Sequence, residues 1–260
     1  MKIKNITSTQ NDLIKKVKYV YENQNFAKKH NLFVIEKAKL IFEAINKNVN
    51  IEFILITENE YKIYKNKLVK YLNENKVIFI NEKISKYLSI NVTYSNIFAL
   101  CKYLPNNNFV IQPNKNYLLL DSIQDPGNLG TILRTAFGLG IDKVFLYNCV
   151  YHFNNKCTKS CSGANFNNNI VVVDKLFDFI KLFNKKYDII CTSLDNDSDN
   201  INNVCFQKSN NLIILGNEGH GINKDLQKVA NKKIKLTMHN NIESFNVAIF
   251  AAIICFKVLN

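Results

Sequence analysis

Arginine is all but missing from this chain of 260 residues: of its 34 lysines and arginines, one alone, Arg134, is an arginine. Lysine supplies the cation everywhere else. A position that keeps arginine therefore points to a need for its planar fork of donors on phosphate or carboxylate, which an ammonium cannot reproduce. Tryptophan is absent, prolines number 3, and none of the 8 glycines precedes Gly127. Scarce arginine and tryptophan beside abundant lysine, asparagine and isoleucine read as an AT-biased genome, so much of the lysine and asparagine is background. The 7 cysteines, at 101, 149, 157, 161, 191, 205 and 255, include no C-x-x-C pair, and their odd number argues against a disulfide framework. Most sit in apolar runs such as "YDIICTSL" and "AAIICFKV", as buried thiols do in a reducing compartment. Four scattered histidines, at 30, 152, 220 and 239, offer no metal-ligand spacing, and no metal is expected. The opening "MKIKNITSTQ" has no apolar signal core, and no apolar stretch could span a bilayer without charge. A cytoplasmic protein without a membrane partner is expected.

With 47% hydrophobic and 21% charged residues the composition is that of a folded chain. Its net charge of +13 favours a polyanionic partner, whose counterions such a surface displaces; biased codons on a solvated surface would give the same total. The distribution sharpens the point. Residues 1–110 hold 18 lysines against 9 acidic residues, whereas residues 111–260 hold 16 basic against 12 acidic.

Pro105 and Pro113 bracket the polar stretch "PNNNFVIQP", a plausible linker, and place a domain boundary near residue 112, with domains at 1–110 and 111–260. In the first, a Ser or Thr followed by Leu13, Val17, Val20 and Tyr21 at helical spacing predicts a capped amphipathic helix. "LFVIE" reads as a strand and "KAKLIFEAI" as a helix, and "EFILIT", "KVIFI" and "NIFALCKYL" as further strands, giving a small α/β sandwich. In the second, "YLLLD", "DKVFLYN", "NIVVV", "DIICTSL", "LIILG" and "KIKL" alternate with helix-like segments, the pattern of a mostly parallel sheet covered on both faces. The closing "SFNVAIFAAIICFKVLN" is apolar nearly all round until Lys257, so it must be buried, partly against another subunit.

Three segments carry candidate chemistry. In "LLLDSIQDPGNLGTILRTAFGLGIDKVFLY" a buried strand ends at Asp121, Asp125 to Gly127 form a turn, and Asn128 can cap the next helix. Ligands of open parallel sheets sit at such strand ends. Arg134 follows Asn128 by six residues, so on a helix starting at Asn128 the two lie about 240° apart; they share a site only if Asn128 stays in the loop. In "NNLIILGNEGHGIN" three glycines after an apolar strand suit a polar cofactor held by main chain, and fit equally well a turn with no ligand. It is neither a Walker loop nor G-x-G-x-x-G. In "KIKLTMHNNIESFNVAIFAAI" Ser244 can cap the final helix, which leaves Asn246 as a polar side chain in an apolar first turn that needs partners.

Taken together, "DPGNLGTILRTA", "IILGNEGHGI" and "ESFNVAIFAA" resemble, in order and spacing, the three motifs of the SpoU, or TrmH-like, branch of the SPOUT RNA methyltransferases. "ITSTQNDLIKKVKYV" and "FVIEKAKLIFEAI" resemble the ribosomal-protein-like substrate-binding domain of rRNA-modifying members, so the resemblance spans almost the whole chain. It implies an α/β-knot methyltransferase domain with a deep trefoil knot, S-adenosyl-L-methionine as cofactor, and methyl transfer to a ribose 2′-hydroxyl of RNA, rRNA first because of the extra domain. By motif position, Gly216, Leu236 and Phe245, with Thr192 nearby, would contact the cofactor, and Asn128, Arg134, Glu218, Ser244 and Asn246 would form the active site. Arg134 would help deprotonate the hydroxyl or, since guanidinium normally stays protonated, position the phosphate and stabilise alkoxide charge. Family members are homodimers that complete each other's sites, so a homodimer is expected. This chain departs from the family pattern at Lys37 and Asn96, where glycine is usual, at Lys159 and Cys161, where arginine and serine are, at Thr237 before Met238, and at Phe245. These changes leave the catalytic set intact and the substrate open. A tRNA 2′-O-methyltransferase and a non-catalytic RNA-binding or ribosome-assembly factor are the alternatives.

Overall fold

A computed structural model describes residues 3–90, 94–105, 109–183, 186–193, 198–217, 219–238 and 245–260. Two units emerge, one of residues 1–104 with 153–155, the other of residues 105–152 with 156–260.

The first unit runs β1 (Lys4–Ile6), α1 (Asp12–Glu22), α2 (Gln24–His30), β2 (Leu32–Glu36), α3 (Ala38–Asn46), β3 (Asn50–Ile56), α4 (Glu58–Asn73), β4 (Val77–Ile80), α5 (Glu82–Leu88) and β5 (Ile97–Lys102). Its described strands form one sheet in the order β1-β4-β3-β5-β2, antiparallel only where β5 meets β3 and β2. β2 is buried at every residue, so both sheet faces are covered, with α1 and α3 each packed on it. The predicted elements stand where hydrophobic period placed them, but the cap of α1 differs. Asn11, not a Ser or Thr, accepts from the Leu13 N–H at 3.0 Å, and Ile14 takes the buried position expected of Leu13. At the end of β2 the buried Glu36 carboxylate accepts from the Tyr21 hydroxyl at 2.6 Å and the Ser89 hydroxyl at 2.7 Å. Burial, and then that bond, push the Tyr21 phenol far up. Lys37 holds φ +87°, a conformation that glycine adopts freely and a lysine does not.

The second unit continues with β6 (Asn116–Asp121), α6 (Pro126–Leu139), β7 (Lys143–Tyr147), α7 (Asn155–Cys161), β8 (Ile170–Val172), α8 (Leu176–Ile180), β9 (Asp188–Thr192), the two-residue β10 (Asp199–Asn200), β11 (Asn211–Leu215), α9 (Lys224–Val229), β12 (Lys232–Lys235) and α10 (Val247–Leu259). The described strands form one sheet, β10-β12-β9-β11-β6-β7-β8, parallel at every pairing. Successive side chains of a strand point to opposite faces. Leu118 and Leu120 accordingly join α6 and α10 in one core, while Tyr117 and Leu119 join α8 and α9 in the other. α10 buries Val247, Ala248, Ala251, Ile254, Cys255 and Val258, and each large aliphatic among them contributes on the order of 1.5–3 kcal/mol. It is not buried all round. Ile249 and Phe256 stay 55% and 59% exposed in the single chain.

Candidate active site

Parallel strands bring their carboxyl ends to one edge, and the register here aligns Thr192 of β9 with Ile234 of β12 and Cys191 with Ile214 of β11. The residues just beyond these strands therefore gather. Thr192, Gly216, Leu236 and Phe245 line one cavity of about 340 Å³, with Ile222, Met238, Val247 and Phe250 among its apolar walls and Ser193, Asn217 and Gln227 among its polar ones.

The glycines have separate reasons. A Cβ on Gly216 would lie 2.4 Å from the carbonyl carbon and oxygen of Gly221, so only glycine fits. Gly221 turns the chain at φ +69°, and its N–H and C=O bond those of Asn217 at 2.9 and 3.1 Å. The Asn217 side chain locks that turn: Oδ1 accepts from the Gly219 and His220 N–H groups, and Nδ2 donates to the Ser122 carbonyl at 3.0 Å. Nearby, the buried Asp121 accepts from the Ser122 hydroxyl and from the Asn223 N–H at 2.8 Å each, tying the end of β6 to the segment before α9.

Beside this edge stand the N-termini of α6 and α10. The cap of α6 is Asp125, not Asn128: proline takes the first helical position, and Asp125 Oδ1 accepts from the Asn128 N–H at 2.8 Å. Its other oxygen meets Lys156 Nζ at 2.7 Å. That lysine first, and the Asn128 N–H second, hold the Asp125 carboxyl below the usual range. Gly130 lets α6 approach α7, since a Cβ there would lie 2.5 Å from the Cys157 carbonyl oxygen. Asn246 caps α10, its Oδ1 accepting from the Ala248 and Ile249 N–H groups, and it is exposed rather than buried. Ser244, expected as that cap, lies outside the described residues, as does Glu218. The spare Nδ2 of Asn246 donates to Asn128 Oδ1 at 3.0 Å, which joins the two helix starts.

Arg134 is not brought to that pair. Asn128 is the third residue of α6 and not part of the loop, so six residues along the same helix turn Arg134 about 240° away. It is exposed, and Nη1 donates to Ser162 Oγ at 3.3 Å. Ser162 itself comes just after α7 at φ +51°. Cys161, beside it, is buried and donates its S–H to Asn165 Oδ1 at 3.0 Å, while Lys159 is exposed. Asn217, Ser193, Gln227 and Met238 were not among the expected residues. Only Asn217, within the glycine-rich segment, carried a signal, because an amide between turn glycines is a habitual turn lock. No group of three or more His, Cys, Asp or Glu positioned for a metal occurs among the described residues.

Residues 115–256 match the model of the SpoU rRNA Methylase family. The chain belongs to this family. It is 27% identical over 260 residues to the Bacillus subtilis 23S rRNA (guanosine(2553)-2′-O)-methyltransferase RlmP, covering 98% of this chain and 99% of that protein. To the Mycoplasma genitalium uncharacterized tRNA/rRNA methyltransferase MG252 it is 30% identical over 236 residues, 85% of this chain and 95% of the other. The fold is that of an AdoMet-bound rRNA methyltransferase from Sinorhizobium meliloti, with a TM-score of 0.84 at 22% identity over 98% of this chain and 97% of that one.

Proposed function

We propose that the SpoU-family chain is an S-adenosyl-L-methionine-dependent RNA ribose 2′-O-methyltransferase acting on rRNA in the cytoplasm. The observation that carries this reading is the meeting of Thr192, Gly216, Leu236 and Phe245 around one cavity, with Asn246, next in sequence to Phe245, bonded to Asn128. The residues fit the cofactor: the cavity is in the range of small-molecule sites, its apolar walls suit an adenine, and the Gly216–Gly221 approach leaves main chain where a side chain would intrude. When bound, S-adenosylmethionine supplies an electrophilic sulfonium methyl. Gly216, Leu236 and Phe245 would hold it by main chain, with Thr192 at the strand end. No metal is needed, because the acceptor hydroxyl requires only orientation and a path for its proton.

Asn128 and Asn246, bonded to each other next to the cavity residues Phe245 and Val247, are suited to orient the ribose. Glu218 and Ser244 keep their motif roles in the same reading. Arg134, turned away from its own Asn128, acts in a homodimer in which each copy completes the other's site. There its fork would position an RNA phosphate and stabilise alkoxide charge. The exposed Ile249 and Phe256 of α10 support such an interface. The chain around β11, β12 and α10 would carry the family's trefoil knot. Residues 1–110 would bind the RNA, and residues 111–260 would perform the transfer. Coverage of almost the whole length of the Bacillus 23S rRNA enzyme, first unit included, favours rRNA over tRNA. No described helix is long and apolar enough to cross a membrane.

The test is incubation of purified protein with labelled S-adenosylmethionine and separate pools of unmodified rRNA and tRNA, and then mapping of alkali-resistant nucleotides. Label at one ribose in rRNA is expected. Label in tRNA alone would move the substrate to tRNA, cofactor binding without transfer to either pool would point to an assembly intermediate as substrate, and no cofactor binding would leave a non-catalytic RNA-binding factor.

A further inference from the structure

Exposed aromatic rings in the first unit are not distributed evenly. On α3, α4 and β4 the half-buried rings pair with one another: Phe42 lies 4.9 Å from Tyr64, with Lys67 Nζ 4.8 Å from the Phe42 centroid, and Tyr61 lies 5.2 Å from Phe79. On the side where α1 packs against α5 the arrangement is different. Tyr87 and Tyr94 are 40% and 45% exposed, and among the described residues neither ring meets another ring. Each has a lysine ammonium over it, Lys18 at 5.3 Å from the Tyr87 centroid and Lys86 at 5.2 Å from that of Tyr94.

We propose that this α1–α5 face is a platform for single-stranded RNA, bases stacking on Tyr87 and Tyr94 and phosphates pairing with Lys83 and Lys86. The proposal rests on the reading of RNA as substrate and adds where, and in which form, the first unit takes it. A tyrosine presents a π-face that any base can stack on, and interleaved cations meet the backbone between bases. Lys83 lies one helical turn before Tyr87 on α5, and both it and Lys86 are exposed. Lys18 is mostly covered and also meets Glu22 at 3.1 Å, so it buttresses the Tyr87 ring and leaves the phosphates to α5.

The platform is also held in place. The segment leading from Tyr94 into β5 is fixed by the Ser95 N–H, which donates to Ser89 Oγ at 2.9 Å, and by the Ser95 hydroxyl, which donates to the Ile97 carbonyl. Ser89 in turn donates to the buried Glu36 carboxylate. An anchored ring loses little freedom when a base settles on it. A duplex, whose bases are already stacked, gains nothing from such rings.

The experiment measures anisotropy of the full-length protein with a fluorescein-labelled single strand of about 12 nucleotides, within the span such grooves cover, and with the same strand in a duplex. The wild type should prefer the single strand. Y87A with Y94A should weaken single-strand binding on the order of tenfold or more, at stacking worth about 1–3 kcal/mol per base, while Y87F with Y94F retains it. K83Q with K86Q should flatten the salt slope by about 1.4, at ~0.7 per phosphate on a single strand. Unchanged binding in the alanine pair, or equal affinity for the duplex, overturns the platform. Calorimetry with S-adenosylmethionine and the methyl-transfer assay separate the two readings. Methyl transfer by the wild type with RNA binding indifferent to the tyrosines sinks the platform alone; loss of RNA binding in the alanine pair, in a wild type that transfers no methyl, sinks the enzyme and leaves the platform.

Discussion

The first unit contains neither an arginine nor a glycine, and the second holds every one the chain has. The first unit does not lack left-handed turns, for Asn31, Asn48 and Asn75 sit at φ +54° to +55°. Asparagine tolerates that conformation because its short side chain bonds locally. In the second unit Asn114, Asn148 and Asn210 do the same, yet Gly130 and Gly216 remain where a Cβ would collide with backbone. Where only a torsion or a charge is required, asparagine and lysine serve; where shape is required, as a missing Cβ or a planar fork, the scarce residue is kept. Gly140, at φ +97°, lies beyond the +51° to +62° that the asparagines adopt, so the torsion alone keeps glycine there; Gly221, at φ +69° with open space around a Cβ, has no structural explanation for why asparagine does not stand there.

Arg134→Lys tests this division most severely. It keeps the charge and removes the fork, and turnover should fall about 10²–10³-fold, the loss typical of removing one preorganised donor, with thermal stability and cofactor affinity unchanged. Methylation at the wild-type rate would mean that charge alone suffices. Next come the crowded glycines. Gly216→Ala should lower S-adenosylmethionine affinity by about 10²-fold in calorimetry, because the Gly221 turn must move, and Gly130→Ala should cost about 1–3 kcal/mol in urea unfolding as α6 is forced from α7. Asn75→Gly, where only the torsion matters, should change stability by less than about 1 kcal/mol. Equal effects at Gly130 and Asn75 would erase the contrast.

Legibility in the sequence divides along the same line between pattern and shape. Strands such as β6, β9 and β11 are continuous apolar runs and could be read directly. β1 and β10 could not, being three and two residues long with Ile6 their single apolar side chain. Caps were misread three times: Asn11, Asp125 and Asn246 hold positions for which a neighbouring Ser, Thr or Asn competes equally on side-chain chemistry. The residue after the cap can decide between them, as Pro126 does at α6. Among cavity residues, those in the motifs were nameable from resemblance, whereas Gln227 and Ser193 arrive through the meeting of strand ends and had no local signature.

Asn246 combines both kinds of requirement, since its Oδ1 caps α10 while its Nδ2 reaches Asn128. Asn246→Ala should cost about 1 kcal/mol of stability through the cap, whereas Asn246→Asp keeps an acceptor for the cap and loses the donor to Asn128. If the Asn128 bond orients the ribose, the aspartate variant keeps the fold and loses turnover. Full activity in Asn246→Asp would leave the residue a cap and nothing more.

The smallest effect falls on a site where charge is added to a shape requirement that either of two residues could meet. Asp125 caps α6 through Oδ1, which an asparagine would do as well, and its other oxygen pairs with Lys156. The folded carboxyl is held below its usual range, so the pairing contributes stability at neutral pH down to the unfolded carboxylate's pKa near about 4, and loses it as pH falls through the lower folded value. The pair is 62% and 43% exposed, so solvent screening limits its worth to about 0.5 kcal/mol, less at high salt. Asp125→Asn should therefore unfold in urea within about 0.5 kcal/mol of wild type at pH 7, and the difference should vanish below pH ~3 or in molar salt. A larger loss that persists in salt would mean that the cap itself depends on the charge, and the separation of torsion and charge from shape would fail at the start of the helix that carries Arg134.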